Sequence, residues 1–346
     1  MKIAILGTGM FGFALARYLG TKYKKDDKIS IVAYDRDQNL IKHLQQHRRH
    51  LYHFKRKKLP KNIIFTTDKK YAVRDADIVI LAITSQAIRE VIREIRNDLK
   101  SGVIIVNTAK SLEINTAKTF FEVIKEELEN TSIKYKIAKL SGGTFAEDLV
   151  NNAPLGADIG SEDPYVVKKL QNLFHSRTLR IYGNTDIIGV EYAGAFKNVI
   201  AILAGIVYGL GLPYGSETHL ISRAAKEAKE IALALGAKPH TFSMESQCWG
   251  NDLWMSCTGR SRNREYGILI GRGLTPTEAL IKLEEKHKTV EGYYTVKVIP
   301  ELIKKTKING FILNQIYSII YKNKKPKQAI KDIMKKEPED IEDINF

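Results

Sequence analysis

Lys197 stands in the stretch EYAGAFKNVIAILAG, Glu191 to Gly205, among residues that are mostly small or apolar. At helical spacing its neighbours one turn either way are Ala193, Gly194, Ile200 and Ala201, and none of these can pair a charge. A poorly solvated amine favours its neutral form, and a pKa drawn towards neutrality lets one lysine both give and take a proton. The stretch therefore reads as a proton-transfer group on a buried helix. The bland alternative, a snorkelling lysine at a helix end, fits badly because Lys197 lies in the middle of the apolar pattern. A Schiff-base lysine is another use for such an amine, but it would need no dinucleotide fold.

A dinucleotide fold is what the N-terminus suggests. GTGMFG sets Gly7, Gly9 and Gly12 in the G-x-G-x-x-G arrangement, after a strand that starts at residue 2 and at the opening of a helix. The first glycine permits the tight turn, the second lets backbone N–H groups approach a pyrophosphate, and the third allows close helix–strand packing. Gly7, Gly9, Met10, Phe11 and Gly12 are thus the cofactor-binding candidates here, at a helix end whose partial positive charge faces the phosphates. Asp35 follows about twenty residues later, where an acid holds the adenosine ribose of NAD. Arg36 beside it suits the extra phosphate of NADP. Asp35 favours NAD(H), and NADP(H) stays open. Further along, Ser261, Arg262 and Asn263 place two neutral donors and a planar guanidinium fork at the start of a helical pattern, an anion site by residue type. Arg260 and Arg264 flank it and read as solvent-facing. Asn198, beside Lys197, is a supporting donor for the same pocket. No metal-ligand spacing and no nucleophile elbow occur.

The elements that must position these groups divide in two. KIAILG, KISIVAY, NIIFTT, DADIVILAI, GVIIVNTA, KIAKLSGG, LGADIGS and TLRIYGN read as strands, with amphipathic helical runs such as QAIREVIREIRNDL between them. That alternation implies an α/β domain with a mostly parallel, doubly wound sheet of Rossmann type, covered on both faces, over residues 1–185. From 186 to 346 helical patterns dominate, at 187–210, 215–236, 275–286, 291–306 and 311–322. CWGNDLWMSCTGRSRN reads as a long mixed loop, a kind of segment that often carries function. The polar, acidic tail KKEPEDIEDINF reads as fraying.

Composition narrows the classes. The length of 346 residues, with 44% hydrophobic and 27% charged, fits a two-domain soluble globular protein. The segment IIGVEYAGAFKNVIAILAGIVYGLGL is long enough to span a membrane, but Glu191 and Lys197 inside it favour a buried core helix. The N-terminal apolar run breaks at Gly7 and Gly9 and has no cleavage site of signal-peptide type. Two cysteines, Cys248 and Cys257, cannot build a disulfide framework and fit a reduced cytoplasm. The net charge of +16 suits an anionic partner, yet the lysines spread along the whole chain. The densest cluster, HRRHLYHFKRKKLPK at 47–61, is the best nucleic-acid candidate and reads more simply as a solvated loop. No nucleic-acid partner is expected, and nothing in the sequence supports peripheral contact with an anionic membrane.

GTGMFG, TSQAIREV, NTAKSLE, LSGGTFAED, GAFKNVIAI, NDL with SC and GRSRN, VEGYYTVK and the closing IYSIIYKNKKPKQAIKDIM together resemble, in order and over nearly the whole chain, the NAD(P)-dependent glycerol-3-phosphate dehydrogenase family. The resemblance implies hydride transfer between NAD(P)H and dihydroxyacetone phosphate, and a homodimer. It makes Lys197 the general acid–base, Lys110 a second cation in contact with substrate and nicotinamide, and Asp252 an active-site carboxylate, which would otherwise read as a helix cap. It sets Gly142, Thr144, Ser261, Arg262 and Asn263 at the substrate, and Ala146, Arg262, Thr289 and Glu291 at the cofactor. Two departures stand out. Ser111 follows Lys110 where the family has glycine, and Gly143 replaces a proline. A ketopantoate-type or other hydroxyacid reductase, and a non-catalytic NAD-binding sensor, are the rival readings.

Overall fold

Alternate residues of the first strand enter different cores. Ile3 and Ile5 pack on one face of the sheet, Ala4 and Leu6 on the other, which is why the strand is apolar throughout rather than alternating. The computed structural model describes residues 1–337; the segment expected to fray lies, from 338 on, outside the described residues.

The chain runs β1 (Lys2–Leu6), α1 (Met10–Lys22), β2 (Ser30–Tyr34), α2 (Gln38–His47), β3 (Ile63–Thr66), α3 (Lys69–Val73), β4 (Ile78–Leu81), α4 (Ile88–Ile95), β5 (Val103–Asn107), α5 (Phe120–Glu129), β6 (Tyr135–Ser141), α6 (Ala146–Val150), β7 (Leu155–Gly160), α7 (Pro164–Phe174) and β8 (Leu179–Asn184). Helices follow: α8 (Ile187–Gly209), α9 (Tyr214–Ala234), α10 (Asp252–Thr258), α11 (Arg262–Gly271), α12 (Pro276–Glu284), α13 (Glu291–Thr306), α14 (Phe311–Tyr321) and α15 (Pro326–Lys335).

The strands form one sheet in the order β3-β2-β1-β4-β5-β6-β7-β8. The first six strands are parallel and take the order of a dinucleotide-binding fold, with the direction of winding reversing between β1 and β4. β7 runs antiparallel to β6, because their link carries the five-residue α6 rather than a full crossover helix; β8, reached through α7, is again parallel to its neighbour β7.

α8 is apolar all round and lies at the centre of the third core. It is long and apolar enough to cross a membrane, but 94% of its most apolar window is buried inside the protein. α11 crosses it closely. A Cβ on Gly205 would stand 2.1 Å from the Arg264 carbonyl oxygen, and one on Gly267 would stand 2.1 Å from that of Ile202. This contact sets the start of α11 beside the middle of α8, where Asn263 Nδ2 donates to Asn198 Oδ1 at 2.8 Å. The stretch read as a mixed loop holds more structure than expected: a π turn at Gln247–Asn251, then α10, then the start of α11. α10 is short, lacks a side-chain cap and has no clear apolar stripe, so its sequence carries few helix signals.

Candidate active site

The glycine turn bears out its spacing. Gly7 has φ +94, and a Cβ there would meet the Ala82 carbonyl oxygen at 2.5 Å. A Cβ on Gly12 would collide with the Gly7 carbonyl. Gly9 differs, since a Cβ there would meet no protein atom within 4 Å. Its α1 N-terminus also has no side-chain cap and no acid in the first turn. Free N–H groups facing open space, at the switch point of the sheet, fit a pyrophosphate. Met10 and Phe11, in the first turn of α1, are half-buried. Asp35 turns its carboxylate into this loop: one oxygen accepts from Thr8 N (2.7 Å) and Thr8 Oγ1 (3.0 Å), the other from Asp37 N (3.1 Å). Arg36 is exposed.

The reading of 47–61 as a solvated loop is corrected in part. His50 is buried. Its Nδ1 accepts from Tyr52 N and His53 N, so Nε2 carries the proton and donates to the Thr8 carbonyl at 2.9 Å. Burial, with help from His53, draws the ring down to about 4, which keeps it neutral. Arg48 is likewise engaged, with its guanidinium over the Phe65 ring and bonded to the carbonyls of Ile63 and Pro60. Tyr52 reaches across to His287, ring to ring at 6.0 Å. Arg49, Lys55, Arg56, Lys58 and Lys61 remain exposed.

The second cluster is built around Asp252. Its carboxylate is fully buried and bridges two amines, accepting from Lys110 Nζ at 2.6 Å and facing Lys197 Nζ at 3.0 Å. The Ser256 hydroxyl, one turn along α10, accepts from Lys197 at 2.8 Å and donates to Asp252 at 3.3 Å. Asp252 therefore opens α10 without capping it. Lys197 does have a charge partner, supplied by another helix. Burial is the largest influence on Lys197 and draws it down to about 8, Asp252 pulls it back up, and Lys110 pushes it further down. Burial would lift the Asp252 carboxyl, but the two ammonium groups outweigh it and hold the group below its ordinary value.

The remaining expected residues surround this bridge unevenly. Lys110 Nζ also donates to the Gly142 carbonyl at 2.7 Å, and Thr144 N donates to that same oxygen. Lys110 N donates to Glu291 Oε2 at 3.2 Å, and the Lys110 carbonyl accepts from Asn198 Nδ2 at 2.8 Å. Asn263 Nδ2 donates to Asn198 Oδ1 and Asn263 Oδ1 accepts from Gly292 N, so both amides join elements together. Ser261 caps α11 through Arg264 N. Arg262 is exposed, with His53 near enough to feel its charge. Ala146 and Thr289 are half-buried and Ala146 packs on the sheet core. Ser111 avoids the left-handed region and its hydroxyl donates to the Glu291 carbonyl, so it replaces glycine without strain. At Gly143 the amide of Asn251 takes the space a Cβ would need. Arg264 is a correction: it pairs with Glu217 at 2.9 Å and lies over the Tyr208 ring instead of facing solvent. Sequence reasoning missed Ser256, whose i,i+4 spacing from Asp252 would have shown it had α10 been recognised. Among the described residues no cluster of His, Cys, Asp and Glu is placed to hold a metal.

Two family models match in tandem: the NAD-dependent glycerol-3-phosphate dehydrogenase N-terminus over residues 2–167, and its C-terminus over residues 186–331. The chain belongs to the NAD-dependent glycerol-3-phosphate dehydrogenase family. Relatives named glycerol-3-phosphate dehydrogenase, NAD(P)+, agree over their whole length. One from Clostridium botulinum is 36% identical, with 97% of this chain and 98% of the relative covered. One from Halothermothrix orenii is 34% identical, with 100% and 99% covered. The crystal structure of glycerol-3-phosphate dehydrogenase from Coxiella burnetii is 26% identical and superposes with a TM-score of 0.88, covering 97% of this chain and 99% of that one. Membership brings the glycine turn and the Asp252 bridge into one dehydrogenase fold, and it sets aside the ketopantoate-type and sensor readings.

Proposed function

We propose that the chain interconverts dihydroxyacetone phosphate and NAD(P)H with sn-glycerol 3-phosphate and NAD(P)+. The observation that carries the chemistry is the buried Lys110–Asp252–Lys197 bridge, with Lys110 just past the C-terminal end of β5. A bound nicotinamide would supply or accept the hydride at C2 of the three-carbon phosphate. Gly7, Gly9, Met10, Phe11 and Gly12 would hold its pyrophosphate, Asp35 and Arg36 would border the adenosine ribose, and Ala146, Thr289 and Glu291 would contribute further contacts to the cofactor. Lys197 gives a proton to the C2 oxygen as an ammonium and takes it back as an amine. Asp252 orients both lysines, and Lys110 meets the substrate oxygen with its charge. Gly142 and Thr144 border the substrate, while Arg262, exposed and with no side-chain hydrogen bond among the described residues, takes the phosphate with Ser261 and Asn263 behind it. Asn198 supports the Lys110 loop.

The division into residues 1–185 for the cofactor and 186–346 for substrate and catalysis is part of the same reading, supported by the change from strands to helices after β8. A homodimer is part of the same proposal, supported by the resemblance to the family. The cytoplasm is the proposed compartment, supported by two buried free cysteines. NAD(H) is favoured because an acid, Asp35, stands after β2 with its carboxylate at the glycine turn; NADP(H) is the alternative because Arg36 beside it is exposed.

Steady-state assay of purified protein with dihydroxyacetone phosphate and either NADH or NADPH tests the reading. Turnover with the triose phosphate is expected, faster with NADH. Turnover of ketopantoate with none of the triose phosphate would sink it. Arg262→Ala should raise the KM for the triose phosphate by about ten- to a hundredfold, the worth of a charge-assisted hydrogen-bond pair, and change kcat less. A normal KM would remove Arg262 from the phosphate site.

A further inference from the structure

Behind the Asp252 bridge lies a second buried ion pair that the proposed chemistry does not use. Lys139 on β6 and Glu191 on α8 are both 0% exposed and face each other at 3.1 Å. Such a pair is a weak source of stability, because apolar side chains of similar volume often serve as well or better. Its geometry suggests another task. Lys139 Nζ donates to the Ala109 carbonyl. Glu191 Oε1 accepts from Asn107 Nδ2 at 2.8 Å, and Asn107 Oδ1 accepts from Ala109 N at 3.0 Å. Both backbone polar groups of the residue before Lys110 are thus held by one side-chain network. β5 ends at Asn107, so regular strand pairing no longer fixes the main chain here. The network ties this segment to α8, the helix that carries Lys197.

We infer that the Lys139–Glu191 pair, acting with Asn107, positions the main chain that carries Lys110, which makes Lys139 a positioning residue for the reaction. The inference rests on the roles proposed for Lys110 and Lys197. A loss of register of about 1 Å at a reacting group can cost on the order of a hundredfold in rate, which is a sufficient reason to keep a costly buried pair. Burial lowers the Lys139 pKa and raises that of Glu191, so each needs the other to stay charged.

The double variant Lys139→Met with Glu191→Gln removes both charges and keeps an acceptor for Asn107. Its thermal midpoint should change little, because relief of two desolvated charges offsets the Ala109 carbonyl left without its donor. Acetylation of Lys110 by an amine-reactive ester, read by peptide mass spectrometry, should quicken several-fold as its amine leaves Asp252 and the Gly142 carbonyl. kcat should fall at least tenfold, and the pH limb of kcat/KM assigned to Lys197 should move up, since Lys110 no longer lowers that pKa. A folded variant with unchanged Lys110 labelling and an unmoved limb would overturn the inference. Faster labelling with unchanged kcat would uphold the positioning and instead overturn the catalytic role of Lys110. Should the double variant fail to fold, Asn107→Ala, which leaves the ion pair whole and frees the Ala109 N–H, carries the same test by the same readouts.

Discussion

Lys197→Ala should cut turnover by about 10²- to 10⁴-fold in both directions and leave cofactor affinity unchanged. The amine is buried more deeply than that of Lys110, and it is held at 2.8 Å by Ser256 and at 3.0 Å by Asp252. Removing a positioned general acid–base group costs about 10²- to 10⁴-fold in kcat. The fold should survive, because Lys110 still pairs with Asp252 at 2.6 Å and no anion is left alone. The wild-type pH profiles carry the same signature. Reduction needs the ammonium, so kcat/KM should fall as the pH rises through about 8; oxidation needs the amine and should fall below about 8. The stability linkage points the same way. With a folded pKa of about 8 against an ordinary 10.5, the unfolded chain binds the extra proton between those values. Stability from this group therefore rises with pH across that window and is depressed below it. The alanine variant should lose that slope along with its activity. Stopped-flow assays in both directions and chemical denaturation at pH 7 to 10.5 check both points, and unchanged turnover would refute the proposed role.

What could be read in advance was whatever a short stretch of chain specifies by itself. The glycine turn is such a feature, because Gly7 and Gly12 are demanded by atoms of the turn and of the strand next to it. α8 is another, since a helix apolar all round has nowhere to go but a core. Lys197 was conspicuous for the same reason. Its partner was not, because Asp252 comes from a separate helix whose seven residues show no clear stripe, and only the crossing of α8 by α10 and α11 brings the groups together. Arg264 misled for a related reason: a flanking arginine looks solvated until a buried glutamate, Glu217, arrives from α9 to meet it. Lys139 and Glu191 were hidden more deeply still. Each looks like an isolated charge in an apolar run, and their pairing exists only because β6 packs beneath α8.

Asp252→Asn should cost more in stability than in any single contact, and it should move the pH profile downward. The carboxylate neutralises two amines inside the protein, and removing one partner of a buried ionic group typically costs about 3–5 kcal/mol. Asparagine keeps the shape but turns an NH₂ group towards an ammonium, so a donor faces a donor. One of the two lysines must then shed its proton more readily. Lys197 is the more deeply buried and already sits at about 8, and the upward pull of Asp252 on it is lost. Its pKa should fall, shifting the limb for reduction to lower pH and slowing reduction at neutrality more than oxidation. The stability contributed by Asp252 is present above 3.8 and lost as the pH falls further, because the folded group ionises below that ordinary value. The gap between wild type and variant should therefore narrow in acid. It should narrow again in base, once Lys197 is neutral in both. Urea denaturation across pH, together with kcat/KM for reduction, separates these effects. A limb left at its wild-type position would show that Asp252 does not set the charge of Lys197, and the bridge would then be structural.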